Sequence, residues 1–187
     1  MTYCATICLP FGDLIANAHW SISTQFDDGF RLSRAVLTSA LPRGMSADSV
    51  VVILGSILSA QPICDFRFAL QFAASVPKGT PESGEFLDAQ SFDIANSRVM
   101  IGTEDGDALA SRLCWFELTE SNYPIGYLRN GFELSFAYIP PRATLDFHFV
   151  IAYNATASDD CSEWFAVDVP HKNILLLDSI AIPSNSS

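Results

Sequence analysis

The residues that could do chemistry begin with an acid and an imidazole two positions apart. Asp146 and His148 lie in "ATLDFHFVIAYN", Ala143 to Asn154, where Leu145, Phe147, Phe149, Ile151 and Tyr153 take alternate positions and Thr144, Asp146, His148, Val150, Ala152 and Asn154 stand between them. On a strand, side chains two apart leave the same face, so the carboxylate could orient the imidazole as a general base. A triad also needs a nucleophile, and no Gly-x-Ser-x-Gly elbow occurs in the chain. The other reading of the pair is a polar outer row on a half-buried strand, open to solvent or to a neighbouring subunit. That reading is adopted, and no catalytic residue is assigned.

Other combinations have the right residue types and lack the context. Cys161 with His171, and Cys8 with His19, could each be a thiolate and its base, yet neither carries a flanking signature. Ser75-Val-Pro-Lys78 matches Ser-x-x-Lys, but that motif works from a helix and Pro77 sits in a Pro/Gly loop. Cys4-x-x-x-Cys8 has no second pair to complete a zinc tetrahedron, and Thr103 to Ala108, "TEDGDA", spaces too few oxygens for a calcium loop. Glycine-rich phosphate and dinucleotide motifs are absent from the sequence. The expectation is a non-enzyme with no cofactor and no metal.

The elements that would position these residues are mostly strands. In "DFRFALQF", Phe66, Phe68, Leu70 and Phe72 share one face; in "FELSFAYI", Phe132, Leu134, Phe136 and Tyr138 do the same. Weaker strand candidates are "LIANAHWSIS", "SVVVILGSIL", "SRVMIG", "RLCWFELT", "EWFAVDV" and "NILLLDSIAI". Turn-rich segments separate them, which suits two packed sheets. Two short helices are expected, over "DGFRLSRAVLTSAL" with Asp27 or Asp28 as cap, and over "DGDALASRL". The fold class is an all-β sandwich, and residues 1–187 read as a single domain with a short polar tail.

Composition narrows the partners. Hydrophobic residues make up 49% of the chain and charged residues 17%, which suggests that some apolar surface meets a partner. Ten basic against twenty-one acidic residues give a net charge of −11, with Lys78 and Lys172 the only lysines. Clustered cations for displacing counterions from phosphates are missing, so little direct nucleic-acid binding is expected. The five cysteines, Cys4, Cys8, Cys64, Cys114 and Cys161, are an odd set, three in apolar or aromatic runs, and read as reduced and structural. No signal peptide or membrane anchor is evident. The Asn154-Ala155-Thr156 and Asn185-Ser186-Ser187 sequons matter only in a secreted chain.

Three segments in order carry a resemblance: "GFELSFAYIPP", "ATLDFHFVIAYN", and an acidic, aromatic stretch ending "EWFAVDVPHKNILLLD". The matching positions are Gly131, Glu133, Leu134, Phe136, Ala143, Thr144, Phe147, Ile151, Ala152, Asn154, Pro170 and His171. Over residues 131 to 178 the chain resembles the coat proteins of plant picorna-like viruses, the comovirus, nepovirus and cheravirus group. The resemblance implies an eight-stranded jelly roll that assembles with other capsid subunits into an icosahedral, pseudo-T=3 shell around RNA, made in the host cytoplasm and located in the virion. It also implies subunit contacts through loops, for which Pro77 to Gly84, Ser121 to Asn130 and Asn154 to Cys161 are the candidates. The alternative is an acidic β-sandwich binding protein. That would be an immunity protein steered to a basic toxin by its charge, or a carbohydrate-binding module using Trp20, Trp115 or Trp164.

Overall fold

Apolar residues at every second position make a ribbon with one greasy face, and two such ribbons bury each other. A computed structural model describes residues 1–22, 29–37, 45–85, 87–157 and 161–185. Among them the strands are β1 (Thr2–Ile7), β2 (Leu14–Ile22), β3 (Arg31–Val36), β4 (Ser49–Leu58), β5 (Ile63–Phe72) and β6 (Thr80–Ser83). There follow β7 (Leu87–Ile94), β8 (Ser97–Glu104), β9 (Ile125–Leu128), β10 (Gly131–Ile139), β11 (Thr144–Asn154) and β12 (Ile180–Ala181). Three short helices, α1 (Gly106–Arg112), α2 (Ser162–Val167) and α3 (His171–Ile174), complete the set.

One sheet has five strands in the order β1-β2-β5-β10-β9 and the other seven, β12-β3-β4-β11-β8-β7-β6; every pairing is antiparallel. The chain is thus the all-β sandwich that the alternation predicts. The short strands β6, β9 and β12 stand at sheet edges. Two arches organise the middle: β4 crosses to β5, β10 crosses back to β11, and β4 pairs with β11 while β5 pairs with β10. At the bend the Arg142 amide donates to the Ser59 carbonyl at 2.8 Å.

Between the sheets lies an aromatic core of Phe66, Phe68, Phe132, Phe147 and Phe149, all fully buried. Phe68 and Phe147 have ring centroids 4.8 Å apart, and such pairs add about 0.5–1.5 kcal/mol beyond area burial. The sandwich is tied along both sides. Tyr3 Oη donates to the Ile182 carbonyl at 2.6 Å on one; on the other, Tyr123 and Tyr127 both donate to the buried Asp88 carboxylate.

Several elements differ from expectation. "EWFAVDV" forms α2 rather than a strand, and "NILLLDSIAI" divides into α3, a turn and β12. "RLCWFELT" leaves α1 and runs without regular structure. The expected helix over "DGFRLSRAVLTSAL" is strand β3 in its described part, because Arg31 to Val36 pair with Ser56 to Val51 of β4; Asp27, Asp28 and residues 38–41 lie outside the described residues. Tyr138 faces outward and Ile139 takes the core position. Asp65 has a left-handed φ of 52°, and β5 sets two residues, Asp65 and Phe66, against Trp20 of β2; this bulge shifts the alternation. The cysteines form no disulfide, but all five are exposed rather than part of the core.

Candidate functional site

The second face of β11 is covered, and that covering makes the site. Val150 and Ala152 pack with Val50, Val52 and Met100 into a second apolar layer beneath Ala166 and Val167 of α2 and Ile174 of α3. Asn154 anchors the start of α2: its amide nitrogen donates to Ser162 Oγ at 2.8 Å and to Glu163 Oε1 at 2.9 Å, and its oxygen accepts from the Asp48 amide. A buried side chain so engaged does not present the Asn154 sequon to solvent. His148 lies on this same covered face and is only 2% exposed. The expected outer polar row therefore applies to Asp146, which is partly exposed, and not to His148.

Three residues from three elements, Glu104, Arg112 and His171, meet over His148. Glu104 ends β8, and Asp105 follows as the N-cap of α1, accepting from the Ala108 amide at 2.8 Å. That cap fixes a two-turn helix whose last turn carries Arg112 back to Glu104. Arg112 Nη2 donates to Glu104 Oε2 at 2.6 Å, Nε to Oε1 at 3.2 Å, and Nη2 also to the Asp146 carbonyl at 2.8 Å. Pro170 opens α3 and delivers His171, 6% exposed, against His148. The two Nδ1 atoms are 2.8 Å apart, and His171 Nδ1 lies 3.6 Å from Glu104 Oε2.

Proton placement follows from what each atom can do. A carboxylate only accepts, so His171 turns its Nδ1–H toward Glu104 and His148, and His148 Nδ1 accepts. His171 Nε2 is then a bare lone pair, buried without a partner. Leaving such an atom unsatisfied costs about 1–3 kcal/mol. Burial above all, then the charges of His171 and Arg112, pushes His148 down to about 3. His171 is also lowered, by burial and then Arg112, with Glu104 and Asp146 opposing. The centre is thus an ion pair beside two neutral imidazoles.

A cavity of about 270 Å³ adjoins it, lined by the two histidines, Glu104, Asp168 and apolar residues including Leu87 and Val169. The lining has no hydroxyl or thiol; its polar groups are two carboxylates and two imidazoles. One ligand atom each from Glu104, His148 and His171 lies within 4.8 Å of the other two, a donor set of metal-binding type.

The other sequence candidates are dispersed. No hydrogen bond joins Asp146 to His148. Cys161 is exposed before α2 while His171 is buried at the start of α3. Cys8 follows Ile7, which pairs with Leu14, whereas His19 pairs with Thr2 at the other end of the β1–β2 ladder. Cys8 instead hydrogen-bonds Asp13, which raises its thiol pKa. Ser75 and Lys78 lie in irregular chain, and of the tryptophans Trp20 is buried in the core. Sequence reasoning missed Glu104 and Arg112. The signal available was the acid closing a strand and the base closing the helix after it, eight residues on.

No family model, curated protein or solved structure matches the chain. Its chemistry must be read from its own residues. Among the described residues no helix is long and apolar enough to cross a membrane.

Proposed function

We propose that this chain is a structural capsid subunit, a coat protein that assembles with other subunits into an icosahedral shell around RNA and has no active site. The observation that carries the proposal is an apolar surface where the C-terminal segment crosses the seven-stranded sheet. Leu175 is 56% exposed, Leu176 84%, Ile180 79% and Val36 of the adjacent strand β3 62%. Ile180 and Val36 line one groove, and large aliphatic side chains exposed along one segment of a well-packed sandwich suit burial by another subunit. The ordered motifs of residues 131 to 178 supply the viral part of the reading.

The sandwich is compatible with a widened jelly roll. Its paired arches, β4–β5 beside β11–β10, are what rolling one long hairpin onto itself produces. In this reading β6 and β9, inside the loops Pro77 to Gly84 and Ser121 to Asn130, are edge strands at subunit boundaries. Of the third loop, Asn154 to Cys161, residues 158–160 lie outside the described residues. The charge of −11 assigns neutralisation of RNA to a companion subunit or to small polycations.

The test is assembly. The chain is co-expressed with the proteins encoded beside it and the product is viewed by negative-stain microscopy and sedimentation velocity. Particles containing the chain support the proposal. A monomer at all concentrations, with no jelly-roll proteins encoded alongside, overturns it and favours the acidic binding protein that the same net charge would steer to a basic partner.

A further inference from the structure

We propose that Glu104, His148 and His171 bind a divalent transition-metal ion of the zinc class, which pins α3 to the seven-stranded sheet. Ligands about 2.0–2.2 Å from a tetrahedral ion stand roughly 3.3–3.6 Å apart. The 3.6 Å between Glu104 Oε2 and His171 Nδ1 has that length, and the 2.8 Å between the imidazoles must open by about half an ångström. Two imidazoles and one carboxylate suit zinc, cobalt, nickel or ferrous iron; magnesium and calcium take more oxygens.

The surroundings point the same way. Two buried imidazoles over an ion pair are a poor filler, since apolar residues of the same volume pack as well or better. In the metal-free arrangement the rings share one proton between Nδ1 atoms and leave His171 Nε2 without a partner. A metal takes both Nδ1 lone pairs and moves that proton to Nε2, where no protein acceptor meets it either. Arg112 stays on Glu104 and orients it, as outer partners of ligating carboxylates do. Its charge opposes the ion and makes the site weaker than an all-histidine one. The 270 Å³ cavity has room for a water as a further ligand. None of this depends on the chain's belonging to a shell.

Exposed thiols also bind zinc, so the five cysteines are first alkylated with iodoacetamide and metal is removed with chelator. Zinc is then titrated while the imidazole nitrogen–proton correlations of the three histidines are followed by NMR; cobalt is titrated separately for its visible absorption. The expected result is one equivalent bound, with His148 and His171 shifted, exposed His19 unmoved, and a higher unfolding midpoint. His171→Ala, checked for its fold by circular dichroism, loses the cobalt spectrum and the thermal shift. Should that variant not fold, the wild-type NMR titration decides alone. Shifts confined to His19, or no stoichiometric binding, overturn the proposal.

Discussion

Arg112 holds both carboxylate oxygens of Glu104 across the short helix that separates them, and its third contact is the backbone of β11. One side chain thereby fixes α1 to two strands of the seven-stranded sheet. Glu104 is 12% exposed at its side chain, so removing its partner strands a mostly buried charge. Arg112→Met is expected to cost about 2–3 kcal/mol in urea unfolding, and Glu104→Gln with Arg112→Met less than the sum of the two. Additive effects would show that the pair is not formed in solution.

The Asp88 latch should appear in an alkaline titration. Burial first, then donation to Asp88, raises Tyr123 to about 12, and the same causes raise Tyr127 well above the ordinary phenol value. A pKa raised on folding means that the stabilisation is complete below pH ~10, the value in the unfolded chain, and is lost as pH climbs through the folded value. Absorbance of phenolate should therefore show three late tyrosines, these two and Tyr3, which burial also raises, and Tyr127→Phe should remove the latest. Ionisation of both near pH 10 would contradict the latch.

Gly55 of β4 faces the ring of Phe147, its register partner on β11. A Cβ there would lie 2.0 Å from Phe147 Cζ. Gly55→Ala is expected to destabilise by about 1–3 kcal/mol through overpacking, and adding Phe147→Leu should recover part of the loss. Calorimetry of the two single variants and the double tests this; no recovery would mean that another contact fills the space.

Phe68 touches Phe66's neighbour Phe147 and also Phe149, so it joins two ring pairs at the centre of the sandwich. Phe68→Ala should cost about 3–5 kcal/mol. By contrast, Leu176→Ser, at an exposed position, should change monomer stability by under about 0.5 kcal/mol while lowering particle yield in the co-expression assay. If Leu176→Ser leaves assembly untouched, the C-terminal apolar surface is not a subunit contact.

The long strands were legible because period-two alternation survives in them: Phe66, Phe68, Leu70 and Phe72 are all buried as their spacing requires. Helices α2 and α3 were not, since a short apolar run such as "EWFAVDV" fits a buried strand or one helical turn equally well. One clue was present. Val150 and Ala152 make the second face of β11 apolar as well, and a strand greasy on both faces needs a cover. His171, 23 residues from His148, had no local signal, because only the folding back of the chain after β11 brings it there.

The bulge at Asp65 has a counterpart. Phe136 pairs with Phe66 and Tyr138 with Cys64, so Ala137 stands opposite Asp65 and each strand carries its own additional residue there. The lengths of β5 and β10 are therefore coupled. Deleting Asp65 alone would leave Phe66, Cys64 and Ile63 in plain alternation but slip them against β10, whereas deleting Asp65 and Ala137 together would keep every pair beyond the bend. A change of length in one of these strands is tolerable only with the matching change in the other, some seventy residues away in the chain.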